Sequence, residues 1–272
     1  MAGDKPQHPR SVFWRPLIEA ARGRVPPPIR AHSFVWRWDS KTWPVALRCS
    51  DGQRYVVKAI QRRPECPNRV IVSDQIASRL GAMLGAPVGA PALVDVPQDL
   101  IDAEPEMAHM EPGLAHATRW IPNCQDLMFR PGVGGPNRLR ALLIGVLWGW
   151  CEMEHDHQLI REKQPPQLLH AVDHGSVFPG MHEWCIRALR APPPARLDAW
   201  ISTGCTFSET ECADACPPLG NLTPEIVAEA VAAPPLEWPI SEFERIALAV
   251  YLWRRRRDLL GYLPCADRQA EV

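Results

Sequence analysis

The chain has 272 residues, 46% hydrophobic and 22% charged, with a net charge of −1. That balance belongs to a globular protein and excludes a general attraction to nucleic acid or membrane phosphate, because neither sign of charge dominates. The opening MAGDKPQHPR has no apolar secretory segment, and the most apolar run, ALLIGVLWGWC, is well short of the ~20 residues of a membrane span, so a cytoplasmic location is expected.

Residues 1–31 read as an N-terminal extension. Its segment SVFWRPLIEAA is too apolar to stay in water and is expected to pack on the small lobe and not to lie loose, and RVPPPIR is a stiff lead-in. From His32 the pattern alternates. WPVALRCSDGQRYVVKAI predicts two strands around an Asp-Gly turn, with Val45, Leu47 and Cys49 on one face of the first. On the second, Tyr55, Val57 and Ala59 share one face, and Val56 and Lys58 the other. NRVIVSDQIASRLGAMLG has helical spacing and stops at Gly85 and Pro87. APALVDV and MEPGLAHATRWIP each predict a strand. PNRLRALLIGVLWGWCE is the strongest helix, with Leu139, Leu142, Leu143, Val146, Leu147 and Trp150 on its apolar face. MEHDHQLI reads as a polar break and QLLHAVDHG as a strand. Everything after Gly180 reads as helical, from HEWCIRALR through ARLDAWIST and TPEIVAEAVAA to SEFERIALAVYLWRRRRDLLGYL. The 30 prolines fall between these segments as rigid connections, and the nine cysteines, irregularly spaced, are expected as thiols. Cys205, Cys212 and Cys216 cluster without the paired spacing of a zinc site.

Strands followed by helices predict an α+β protein with a β-rich N-terminal lobe (32–125) and a helical C-terminal lobe (126–272). Four residues carry candidate chemistry in that order: Lys58 on a strand, Asp74 on the next helix, Asp156 in a loop, and Asp173 at the end of the apolar run LLHAV. A cation for phosphates, an acid to orient it, a base near a hydroxyl and a carboxylate for a metal are the parts of phosphoryl transfer. Each residue also has an ordinary reading: a solvated strand lysine, an exposed helix acid, a loop acid, and an Asp-His-Gly turn.

The sequence resembles the HipA-like kinase family, in its short bacterial members, over residues 32 to about 260. The resemblance rests on DGQRYVVKAI, on RVIVSDQIASRLGAMLGAPVGAPALVDV, on PGLAHATRW, on VDHGSVF and on LWRRRRDLLGYL. It implies a two-lobed protein-kinase-like fold and transfer of the γ-phosphate of ATP, with Mg2+, to a serine or threonine hydroxyl of a protein. An antitoxin-like partner is compatible with it; membrane and direct nucleic-acid contacts are not expected. Lys58 would hold the α- and β-phosphates and Asp74 would pair with it. Asp156 would be the catalytic base and Asp173 the magnesium ligand, written here Asp-His-Gly. Gln158 would offer an amide oxygen to a second magnesium, and Trp120 would border the adenine.

Three features depart from the family pattern. Asp74 is one methylene shorter than the usual glutamate. Arg161 stands where kinases place an asparagine five residues after the base. The loop WRWDSKTWP over the phosphates has no glycine. A degenerate kinase that binds nucleotide or protein without transfer is the alternative reading. His155, His157, His170 and His174 suggest a third, a metal-dependent hydrolase.

Overall fold

The computed structural model describes residues 9–127 and 134–263; residues 1–8 of the expected extension lie outside it. Among the described residues eight strands run in chain order as β1 (Ile29–Arg37), β2 (Val45–Cys49), β3 (Arg54–Lys58), β4 (Pro91–Val96), β5 (Gly113–Arg119), β6 (Cys124–Leu127), β7 (Gln158–Glu162) and β8 (Leu169–Val172). The helices are α1 (Pro9–Arg22), α2 (Arg69–Leu84), α3 (Gln98–Ala103), α4 (Asn137–Cys151), α5 (Ala199–Gly204), α6 (Glu209–Asp214), α7 (Cys216–Gly220), α8 (Pro224–Ala232) and α9 (Glu242–Tyr262). The result is an α+β fold.

Strands β1, β2, β3, β5 and β4 close into a barrel in that order, and β6, β7 and β8 form a separate sheet. The predicted hairpin is β2–β3, with Gly52 at φ 77° in its turn. Alternation puts Val45, Leu47, Cys49, Tyr55, Val57 and Ala59 into the barrel interior, as their shared faces require. Lys58 falls on the opposite face, opposite His116 of β5.

Helix α2 packs against β4 and β5 on one side and α4 and α8 on the other. It is therefore buried nearly all round, including Ser73, Asp74, Gln75 and Ser78. Gly85, in the left-handed conformation, ends it, donating to Ala82 O at 3.1 Å. The chain past this cap meets β8: the Ala171 N–H donates to Pro87 O at 2.9 Å, and Val88 bridges Ala171. The end of α2 and the end of β8 are thus fixed to each other.

Helix α4 is the axis of the second core. Residues from Ala141 to Cys151 are all buried, whereas Leu139, expected on the apolar face, is exposed. Asn137 at its start holds the β7–β8 connection through both ends of its amide, to Gln167 O (3.0 Å) and from Leu169 N (2.8 Å).

Four expectations need correction. MEHDHQLI is not simply a break, because Gln158–Glu162 is a strand paired with both β6 and β8. HEWCIRALR forms only a short 3-10 turn, Met181–Glu183. Cys216 is disulfide-bonded, not a thiol. The N-terminal segment is helix α1, and it packs on α8 and α9, not on the strands, by burying Trp14, Ile18 and Ala21 in the helical core.

Candidate active site

A cavity of about 690 Å³ opens between the barrel face and the small sheet. Lys58, Asp74, Trp120, Gln158 and Asp173 all line it. Five of the six expected site residues therefore meet, from β3, α2, the segment after β5, β7 and the turn after β8.

Lys58 is the centre of the arrangement. It is 6% exposed, and its ammonium donates to Asp74 Oδ2 at 2.8 Å and to Asp173 Oδ1 at 2.7 Å. Burial opposes charge on this lysine, but the facing carboxylates of Asp173 and Asp74 outweigh it and hold the pKa above the ordinary value. Asp74 shows the reverse balance. Burial raises its pKa, and the Lys58 charge overrides that and keeps it below the usual carboxylate range. The shorter side chain of Asp74 still reaches Lys58, at 2.8 Å. The His174 N–H donates to Asp74 Oδ1 at 2.5 Å.

Gly175 is what permits that approach. A β-carbon there would stand 2.4 Å from Val70 Cγ1 and 3.4 Å from Asp74 Oδ2. The chain reverses instead at Asp173, with φ 57°. The glycine is thus present for close packing, and the aspartate itself takes the left-handed conformation. Asp156 also has a positive φ, 62°. Such backbone in non-glycine residues costs energy and concentrates at functional positions.

Asp156 is not among the residues lining the Lys58 cavity. It lines a neighbouring recess of about 810 Å³ with Glu152, Trp148, Arg196 and Trp200. It is nonetheless tied to the Asp173 turn, since Ser176 Oγ donates to Asp156 Oδ2 at 3.2 Å.

The loop from Trp38 to Pro44 covers the cavity, with Trp38, Asp39, Ser40 and Pro44 on its wall. Trp43 anchors it: the guanidinium carbons of Arg37 and Arg63 lie 4.6 and 4.1 Å from its ring centroid. His109 Nε2 donates to the Trp43 carbonyl at 3.0 Å. At the other rim, Trp120 packs edge-on against Trp38 at 5.7 Å, and its backbone N–H donates to Arg54 O at 2.9 Å.

Sequence reasoning missed His116. It is buried beside Lys58, and the Gln75 amide donates to its Nδ1 at 2.7 Å once that amide is oriented to satisfy its neighbours. Burial, reinforced by the Lys58 charge and opposed by Asp74, lowers its pKa to about 4. Arg161, in the kinase asparagine position, is a β7 strand residue paired with Gln125.

The four histidines do not come together as a metal site. His157 bonds Asp198 at 3.1 Å and stacks on Trp200, and His170 bonds Glu162 at 3.0 Å. Among the described residues no cluster of His, Cys, Asp and Glu has metal-holding geometry. Among them, too, no helix is long and apolar enough to cross a membrane.

A search of curated proteins returns no match. Among solved structures, the chain is similar to the Helicobacter pylori proinflammatory kinase CtkA, with a TM-score of 0.51 at 12% identity, over 88% of this chain and 97% of that one. It is also similar to the Golgi casein kinase, at a TM-score of 0.47 and 12% identity, over 91% of this chain and 76% of that one. A second structure of that kinase, with Mn and ADP bound, matches at 0.46 and 11% identity, over 93% and 77% of the two chains. The CtkA match shows a shared fold. The sequence profile of the HipA-like kinase family matches residues 38–147, the span that holds the covering loop, Lys58, Asp74 and Trp120, and over that span the chain is similar to the HipA-like kinases.

Proposed function

We propose that the protein is an ATP- and Mg2+-dependent protein kinase that transfers the γ-phosphate to a serine or threonine hydroxyl in the cytoplasm. In this reading the barrel and α2 are the nucleotide-binding lobe, and the part built on α4 is the catalytic lobe. The observation that carries it is the buried Lys58 ammonium held between Asp74 and Asp173 inside one cavity.

The residues present fit a nucleotide and its metal. One ammonium against two carboxylates leaves a surplus negative charge, and Asp173, with about a third of its side chain exposed, faces the open cavity. A hydrated divalent cation suits such a carboxylate, and the amide oxygen of Gln158 on the same wall is a second donor. The cation would bridge the phosphates and offset the charge that develops on them. Lys58 would hold the phosphates, Asp74 would keep the lysine aimed, and Trp120 would border the base. Asp156 would accept the proton of the acceptor hydroxyl, presented from the adjoining recess.

Calorimetry of ATP binding with and without Mg2+, on wild type and Asp173→Ala, tests the nucleotide half. Magnesium-dependent binding that the substitution removes is expected; no binding to wild type would overturn it. Radiolabelled transfer tests the rest: Asp156→Asn should abolish transfer and keep ATP binding. Equal transfer by that variant would remove Asp156 from the role.

A further inference from the structure

Trp38 lines the cavity, yet phosphate chemistry has no use for an indole. Its backbone N–H donates to Pro44 O at 3.0 Å, which carries the β1–β2 register one step past Arg37 and Val45. Val45 faces Val57, so Pro44 and Trp38 fall level with Lys58 on β3. Trp120 continues β5 in the same way and falls level with Arg54. Strands β2 and β3 lie between the two tryptophans. At ordinary strand spacings their backbones stand about 13 Å apart along the strands and about 14 Å apart across them. Their ring centroids are nonetheless only 5.7 Å apart.

Both indoles must therefore lean over the outer face of β2 and β3. Midway along that diagonal is the register pair Ala46 and Val56. Ala46 points away from the barrel interior, between inward Val45 and Leu47, and is still 0% exposed, as a residue under such a cover would be. The indoles themselves are only half-buried, so their rings keep surface that a ligand can reach. Arg54 backs the Trp120 ring at 5.6 Å. Across the cavity, the small sheet contributes Ile160 and Val172. The result is a slot with an aromatic ceiling and an aliphatic floor.

Val56 precedes Lys58 by two positions on the same strand face, a step of about 7 Å. Whatever lies under the indoles is thus in reach of a group held by the ammonium. A flat heterocycle joined to phosphates meets both demands, because stacking on an aromatic ring requires only a π-face.

We propose that Trp38, with Trp120, is the surface on which the base of a bound nucleotide stacks, and that this contact favours purines over pyrimidines through their larger rings. This rests on the nucleotide reading of the cavity. Trp38 is then a specificity-determining residue supplied by the covering loop.

The test separates base from phosphate. Mg·ADP, Mg·CDP and Mg·pyrophosphate are titrated into wild type, Trp38→Leu and Trp38→Phe. Leucine keeps an apolar cover without a π-face, so Trp38→Leu should bind Mg·ADP about five- to a hundredfold more weakly. Its affinity for Mg·pyrophosphate should not change, and Trp38→Phe should regain most of the ADP affinity. Wild type should prefer Mg·ADP to Mg·CDP, and the preference should shrink in Trp38→Leu. Unchanged or tighter Mg·ADP binding by Trp38→Leu would overturn the proposal, and so would an equal loss with pyrophosphate, which would make the ring a prop for the fold. If Trp38→Leu does not fold, equal wild-type affinity for Mg·ADP and Mg·CDP overturns it. A wild-type chain that binds neither Mg·ADP nor Mg·pyrophosphate overturns the nucleotide reading itself, which is a different result from selective loss of the base contact.

Discussion

Val70 leaves no room for a side chain at Gly175, whose β-carbon would meet its Cγ1 at 2.4 Å. Gly175→Ala must therefore push the Asp173 turn away from α2. The expected loss is about 1–3 kcal/mol, typical of overpacking a tight contact. Urea unfolding measures it, and Val70→Ala in the same background should return part of the loss. Equal stability of wild type and Gly175→Ala would mean the turn can slide.

Lys58 and Asp74 should behave as a coupled pair. Removing the lysine alone, in Lys58→Met, leaves Asp74 buried at 2% exposure without its cation. A cost of about 3–5 kcal/mol is expected. Adding Asp74→Asn removes the stranded charge and keeps an oxygen for the His174 N–H, so the double variant should recover much of the loss. A double-variant cycle with no coupling would contradict the geometry.

His116 predicts an acid-sensitive fold. Its pKa is about 4 in the folded chain, below the ordinary 6.5. Between those values the unfolded chain binds the proton and the folded chain does not, so stability is complete above pH 6.5 and falls toward pH 4. The loss is on the order of 3 kcal/mol at the lower end. In His116→Gln that part of the acid limb should flatten, as read from unfolding midpoints across the range. A wild-type slope in the variant would assign the effect to other groups.

The four consecutive arginines of α9 should differ sharply. Arg255 is buried, donating to Trp150 O, Gly149 O and Pro193 O, and it lies 2.7 Å from Glu152 Oε2. Lysine cannot reproduce that fork, so Arg255→Lys should cost about 2–4 kcal/mol. Arg254→Ala and Arg257→Ala, at exposed positions, should stay within about 0.5 kcal/mol. Thermal melts of the three variants decide this.

The same arginines show what sequence alone can and cannot carry. Hairpin β2–β3 and helices α2 and α4 were legible because their apolar residues repeat over many positions with clear stops. In the run Arg254–Arg257 only the helix phase against α4 selects Arg255 for burial, and composition holds no phase. Strand β7 was hidden for a related reason, since Leu159 is its only buried residue and no alternation shows. The apolar face of α1 was readable, but its docking partner was not. At the site, the residue types and order of Lys58, Asp74 and Asp173 foretold their meeting. His116 gave no such sign, because its position depends on which strand pairs with β3.

The Trp43 clamp bears on how a ligand would be received. Its ring is held by Arg37, Arg63 and His109, all from outside the covering loop. A glycine-rich cover must surrender its freedom when a guest arrives, and that ordering weakens the complex. This cover has surrendered it during folding. Its seat is preorganised, so the entropy of loop ordering belongs to the stability of the protein and not to the affinity for its ligand.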